Sequence, residues 1–407
     1  MEGGDAPSDT RVSVPRVLMV TGAYYPELSG AGLQCRRLIG ALGVRASCAV
    51  LTTSVVKHTL PDVVDGVPVH RVVVDVARPM SRVRAGLALA REFLRLASDA
   101  EIVHFHGFSR KTIGLMALAT LRRRRRVLKL TSLGHDDPRP IRARGALATW
   151  AYDSADVYIG VSPQQRERYL EAGLPPERFA LIPNGVDVAR FRPCSPEERG
   201  SARAELGLPA ELPDVLFVCF FSREKQPRVL FDAWRMLGDA PASMLVYVGA
   251  TRGPYYEIDP ALAEGIRAQA VATGLERRVV FAGETLEIER YYRAADVFVL
   301  PSSREGLPNA LLEAMASGLA CIASRLPGVT DHLVRDRENG VLVPPGDVSA
   351  IADALRELFG DATLAARLGI AARRTIETAY TLEVTAARHL ELYRSLVEAG
   401  RYETGRR

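Results

Sequence analysis

Cysteine is scarce and scattered in this chain: five residues (Cys35, Cys48, Cys194, Cys219, Cys321), with no CxxC among them. That pattern argues against a disulfide framework or a cysteine-based zinc site and fits a reducing cytoplasm. Long apolar runs are missing too, none approaching the roughly 20 residues that cross a bilayer. The opening MEGGDAPSDTRVSVPR lacks the apolar segment of a signal peptide, and residues 1–14 read as a short disordered leader. There is no GxxxxGK[ST] loop, and the one glycine loop that follows a strand is not GxGxxG, because Cys35 stands where the third glycine would be. A nicotinamide dehydrogenase is therefore disfavoured. No DxD stands out, and HDD at His135 to Asp137 lacks a third clustered ligand, so it reads as a polar loop and no metal is expected.

What is present is ordinary for a globular protein: 407 residues, 47% apolar and 25% charged. That length is too great for one hydrophobic core and implies two or three domains. The net charge of +5 conceals an asymmetry. Between Arg78 and Trp150 stand sixteen Lys/Arg against five Asp/Glu, leaving the remainder at −6. One basic region, peaking in RRRRR at Arg122 to Arg126, lies on a mildly acidic protein, and nucleic acid is not an expected partner.

The chain alternates. Short strand-like runs recur (RVLMVTG, SCAVLTT, VHRVVVDV, EIVHFH, RVLKLTS, DVYIGVS), with helix-period stretches such as RVRAGLALAREFLRLAS between several of them. Apolar runs without strict alternation point to parallel strands buried on both faces. The pattern stops in a proline- and charge-rich stretch near residues 187 to 214, then resumes with VLFVCFF, SMLVYVGA, RRVVFAG, DVFVLPS, LACIAS and NGVLVPP. Two Rossmann-like α/β domains in series are expected, residues 1–190 and 191–381. The helix from about 382 to 407 could pack back on the first.

Open parallel sheets bind ligands beyond the carboxyl ends of their strands. In the first half, Gly30 and Gly32 open a helix after a strand, which suits an anion, though a plain turn explains them equally well. In the second half, PSSREGLPNALLEAMASG gives a loop and then a helix, with Glu305 in the loop and Glu313 inside the helix. A carboxylate at that place repels phosphate but accepts hydrogen bonds from sugar hydroxyls.

That stretch resembles the ExxxxxxxE region of the retaining glycosyltransferases of family four, which have the two-domain GT-B fold. Other segments resemble the family in the same order: GAYYPELSGAG, EIVHFHG, the stretch from VSPQQ to NGVDVARFRP, and NGVLVPPGD. The resemblance implies two doubly wound parallel-sheet domains facing across a cleft and transfer of a sugar from a UDP- or GDP-sugar. The acceptor would be a glycan, a lipid-linked or a small molecule, with retention and no cofactor or metal. By position, His106 matches the active-site histidine, and His104 is expected on the opposite face of its strand. Glu305 matches the donor-sugar contact, with the backbone of Gly306, Leu307, Pro308 and Asn309 near sugar and phosphates. Glu313 matches the ribose carboxylate, and Lys225 the diphosphate lysine.

The sequence departs from the family at FVCFFSREK, where Cys219 and Phe220 occupy the usual Gly–Arg positions and Arg223 is the available substitute. An epimerase of the same fold, a phosphorylase (no pyridoxal-lysine signature is visible) and a non-catalytic sugar binder remain as alternatives. In the basic region, Arg78, Arg82, Arg84, Arg91 and Arg95 decorate a helix whose other side carries Val83, Leu87, Leu94 and Leu96. Arg110, Lys111 and Arg122 to Arg126 flank a second helix, TIGLMALATL. Solvated faces are the simpler reading of each helix. Together they suggest peripheral contact with an anionic membrane face through Arg122 to Arg126.

Overall fold

The computed structural model describes residues 14–27, 29–55, 60–75, 77–238, 242–253 and 257–404, without the side chains of 401–404. The leader expected over residues 1–14 lies outside them, Val14 excepted. The chain divides into two compact units. The described residues up to Lys129, Ile141–Tyr158 and those from Ala386 onward form one, and Leu130–Pro140 with Ile159–Thr385 form the other.

One sheet comprises β1 (Arg16–Thr21), β2 (Ser47–Ser54), β3 (Val63–Val64), β4 (Val67–Val73), β5 (Ile102–His106), β6 (Arg125–Lys129), β7 (Val157–Gly160) and β8 (Phe179–Leu181), ordered β3-β4-β2-β1-β5-β6-β7-β8. The other comprises β9 (Asp214–Val218), β10 (Met244–Val248), β11 (Val279–Gly283), β12 (Val297–Leu300), β13 (Ala320–Ser324) and β14 (Val341–Val343), ordered β11-β10-β9-β12-β13-β14. Each of the twelve apolar runs is a strand. The sequence shows no run for β3 or β8, which are too short to display a period. β3 folds back antiparallel on β4 through Asp65 and Gly66, whose φ values of 51° and 77° suit a tight hairpin turn.

Leaving β3 and β8 aside, the two orders are the same permutation. The first strand of each set has its second strand on one side and its fourth on the other. Crossovers are right-handed, so the helices that follow these two neighbouring strands lie on opposite faces. Their connecting loops diverge and leave a crevice at the carboxyl edge. In the second sheet, alternate residues of β9 show this burial on both faces. Val215 and Phe217 pack in one apolar cluster with Leu230 and Trp234 of the helix Pro227–Arg235. Leu216 packs in another with Leu311 and Leu312 of the helix Asn309–Ala316.

In the first sheet the rule places α1 (Gly30–Leu42) on one face. It places α2 (Pro79–Ala97), α3 (Arg110–Leu121) and, after the short α4 (Pro138–Arg142), α5 (Ala146–Asp153) on the other. α2 buries Ala85, Leu89, Phe93 and Ala97, one line of residues four apart. The expected core positions Val83 and Leu87 are instead 58% and 69% exposed. A single line of small and aromatic residues suffices to seat the helix, and Leu94 and Leu96 are half-buried beside it.

Gly369 shows how tightly the second unit is packed. It lies in the helix Ala362–Ala379, and a Cβ there would sit 2.1 Å from the Gly318 carbonyl oxygen, just beyond the Asn309–Ala316 helix. Helix propensity favours Gly369→Ala by about 1 kcal/mol. Overpacking against backbone costs about 1–3 kcal/mol or more. The variant is expected to unfold at lower urea than the wild type, and a raised midpoint would refute this seating.

Candidate functional site

In the second unit the crevice is lined by the loops that leave β9 and β12. After β9 the backbone hydrogen-bonds alongside the end of β10, through Cys219 N–H to Val248 (3.0 Å) and Phe221 N–H to Ala250 (2.9 Å). Gly249, at φ 138°, permits this approach, since a Cβ would stand 2.2 Å from the Cys219 carbonyl oxygen. The loop ends at Gln226, in the left-handed region at φ 51°, before Pro227 starts the next helix. This turn aims Lys225 at the β12 loop, where its ammonium donates to Glu305 Oε1 at 2.6 Å.

Both partners are largely buried, with side-chain exposures of 15% and 7%. Burial opposes the Lys225 ammonium. The neighbouring Cys219 and Glu305, the latter also through its hydrogen bond, outweigh that and hold its pKa above the ordinary lysine value. Burial raises the Cys219 thiol to about 11, so it is neutral at pH 7 and the carboxylate is the effective counter-charge. The same two loops are joined again by Ser303 N–H to the Glu224 carbonyl (2.8 Å) and by the Arg304–Glu224 ion pair.

Downstream, a Cβ on Gly306 would lie 3.2 Å from the Thr131 carbonyl oxygen, so the chain runs close to the Leu130–Pro140 segment. Leu307 is buried, Pro308 precedes the helix, and Asn309 Oδ1 accepts from the Asn184 amide at 3.0 Å. Glu313 is buried in the helix, and its Oε2 accepts from the Tyr292 hydroxyl at 3.0 Å. The structure therefore gathers Lys225, Glu305 to Asn309 and Glu313 at one edge of one sheet.

Arg223 differs from these. Its side chain is 88% exposed and bridges Asp259 at 3.2 Å. The HDD carboxylates are engaged within their own loop and by Arg168. Asp136 accepts from Thr131 and Ser132, and Asp137 from Gly134 and Arg168. Among the described residues no group of three His, Cys, Asp or Glu is placed to hold a metal ion.

In the first unit, His106 ends β5 and is 6% exposed, and neither ring nitrogen has a hydrogen-bond partner among the described residues. His104 lies on the same face, not the opposite one: the two rings stack with centroids 4.3 Å apart. The strand period of two puts residues i and i+2 together, and that corrects the expectation for His104. His104 Nδ1 and the Tyr393 hydroxyl of the C-terminal helix hydrogen-bond at 2.6 Å. Burial first, then Lys129 and His389, pull the His106 pKa well below the usual value, so its ring is neutral at pH 7.

Gly30 and Gly32 open α1 as expected, but the Gly32 N–H already donates to Ser29 Oγ at 3.0 Å. A Cβ on Gly32 would also stand 2.3 Å from the Ala23 carbonyl oxygen, so packing alone demands glycine there.

Further residues support these sites. Tyr292 looks like any core aromatic in sequence and carries no signal. Asn184 stands inside NGVD, a stretch already singled out, so its signal was present. Lys111, which the sequence places on a solvated face, has its ammonium on Thr53 Oγ1 at 2.7 Å and near the Thr21 and Gly22 carbonyls at the carboxyl ends of β1 and β2. Burial lowers its pKa to about 8, with Glu27 opposing.

Two such sheets, each with its crevice at the point where strand order reverses, are the GT-B architecture of nucleotide-sugar transferases. Residues 28–190 match the model of Glycosyltransferase Family 4, and residues 212–361 that of Glycosyl transferases group 1. The alpha-maltose-1-phosphate synthase of Mycobacterium tuberculosis is 30% identical over 403 residues, 94% of this chain and 99% of that protein. The D-inositol 3-phosphate glycosyltransferase of Corynebacterium urealyticum is 32% identical over 66% of this chain, and the alignment spans 63% of that enzyme's length. Among solved structures, Anabaena HepE in complex with UDP and glucose superposes with a TM-score of 0.78 at 20% identity, covering 94% of this chain and all of that one. Sucrose-phosphate synthase from Thermosynechococcus elongatus gives 0.77 at 24%, covering 95% and 100%. The chain belongs to glycosyltransferase family 4.

The buried ion pair gives a direct test. Lys225→Met leaves the Glu305 charge buried alone and is expected to cost about 3–5 kcal/mol in urea unfolding. Adding Glu305→Gln should recover much of that loss. A single variant as stable as the wild type would show the two residues to be uncoupled.

Proposed function

We propose that this glycosyltransferase moves a sugar from a nucleotide diphosphate sugar to a glycan, lipid-linked or small-molecule acceptor, with retention and without a metal. The observation that carries the reading is the buried Lys225–Glu305 pair at the second sheet's crevice, with buried Glu313 in the adjoining helix. Departure of the nucleoside diphosphate leaves negative charge on its phosphate. A lysine kept protonated in a low-dielectric site stabilises that charge best. When phosphate takes over the ammonium, Glu305 is released toward the donor sugar hydroxyls. Buried Glu313, held by Tyr292, is a carboxylate, a group that accepts hydrogen bonds from ribose hydroxyls. Gly306 to Asn309 lend backbone beside sugar and phosphates. In the first unit, neutral His106 has both nitrogens open to a polar partner and is assigned to the reacting sugar, with the Gly30–Gly32 turn as a further anion contact. HepE holding UDP and glucose supports a nucleotide-sugar donor.

A second reading, donor binding without turnover, is favoured by Cys219 and Phe220 at the diphosphate positions and by Arg223 turned to Asp259. The test is a panel of UDP- and GDP-sugars, read for binding and for slow release of nucleoside diphosphate. Glu313→Ala should weaken donor binding by about 1–3 kcal/mol, and Glu305→Gln should lower turnover more than affinity. Arg223→Ala should change neither. Wild-type affinity and turnover in both glutamate variants would overturn the assignment, and tight binding with no release would favour the second reading.

A further inference from the structure

The basic region has a different geometry from the one its sequence suggests. β6 begins at Arg125, so Arg125 and Arg126, two of the five arginines of the run, are strand. Arg125 and Arg126 are mostly buried and pair with Asp156, at 3.7 and 2.9 Å. Arg124 is half-buried and reaches the Ser98 carbonyl. Only Arg122 and Arg123 of the run are exposed. Pairing with Asp156 and strand formation draw Arg125 and Arg126 inward, so only Arg122 and Arg123 of the run are left fully open toward a membrane.

The outward face of α2 offers what the run does not. Met80, Arg84, Leu87 and Arg91 succeed one another at helical spacing along its solvent line, with Val83 beside them. Met80 is 64% exposed, and Val83 and Leu87 are similarly open. Large apolar side chains at helical spacing on the solvent side stabilise nothing in the monomer. Among the described residues, Arg84 and Arg91 have no ion-pair or hydrogen-bond partner. The one acidic residue of α2, Glu92, is bound to Arg95 and His70. The helices on the same sheet face continue the pattern, with exposed Leu121 ending α3 and exposed Leu147 and Trp150 on α5. No helix among the described residues is long and apolar enough to cross a membrane.

We infer that the outward face of α2 docks on the surface of an anionic lipid bilayer, with Met80, Val83 and Leu87 in the headgroup boundary and Arg84 and Arg91 on lipid phosphates. Exposed apolar tips interleaved with unpaired guanidinium groups match an interface that is apolar beneath and anionic above. A soluble acidic partner would need the arginines but not the apolar line. A second copy would bring the same positive charge and repel it.

Vesicle sedimentation of the full chain tests this without donor or acceptor, so its outcome is independent of the catalytic reading. Binding is expected to phosphatidylglycerol-containing vesicles at low salt and to fall at high salt, with little binding to pure phosphatidylcholine. Replacing Arg84 and Arg91 by glutamine should weaken binding roughly fivefold each, and Met80→Ser with Leu87→Ser should weaken it further. These positions are exposed, so circular dichroism should show an unchanged fold. Ile370→Ser, at an exposed apolar position beside Arg367 and Arg374 in the second unit, should bind as the wild type does. Absence of binding at low salt, equal binding to neutral vesicles, or α2 variants that bind normally would each overturn the proposal. So would a wild-type dimer that Leu87→Ser dissociates, because the face would then be a self-interface.

Discussion

The second unit depends on one constraint: a parallel sheet whose strand order reverses between β9 and β12 must send the two following loops to opposite faces. Something has to hold those loops together across the crevice, and the Lys225–Glu305 hydrogen bond does so. An isolated charge in that place would be costly, whereas the pair is tolerable while each partner keeps the other. The ion pair thus fixes loop geometry and stores a lysine in its protonated form. In the proposed function, a diphosphate that displaces Glu305 from Lys225 would exchange one anion for another at little electrostatic cost and free the carboxylate for a donor-sugar hydroxyl.

The supporting contacts share that logic. Glu224 meets Arg304 just as Lys225 meets Glu305, so the two loops carry complementary charge pairs in neighbouring positions. Asn184 holds Asn309 and Tyr292 holds Glu313, and each fixes a polar side chain that would otherwise choose among rotamers. Glycine appears where backbone must touch backbone, at Gly249 and Gly369. In the first unit, burial, with Lys129 and His389 nearby, keeps the His106 imidazole neutral, which suits it to hydrogen bonding and not to carrying charge.

Much of this was legible in the sequence. Strands buried on both faces give continuous apolar runs, and twelve of them set the two-sheet architecture. Glu305 and Glu313 stand out in their loop–helix stretch, and Lys225 is marked only by the resemblance to the family. What stayed hidden depends on packing. Val83 and Leu87 look like core residues because an apolar side chain carries no label for which side of a helix is covered. Arg125 and Arg126 look like surface until Asp156, thirty residues downstream, is brought beside them. Tyr292 is indistinguishable from other buried aromatics until Glu313 is seen to accept from it. The placement of His104 beside His106 follows from the strand period of two alone.

In the proposed function, the diphosphate binds where Glu305 now holds Lys225. A crystal structure of the chain soaked with UDP or GDP tests it most directly. Diphosphate density is expected against Lys225 Nζ at the carboxyl edge of β9 and β12, with Glu305 turned away from the lysine. Diphosphate bound elsewhere, with the Lys225–Glu305 bond intact, would contradict it.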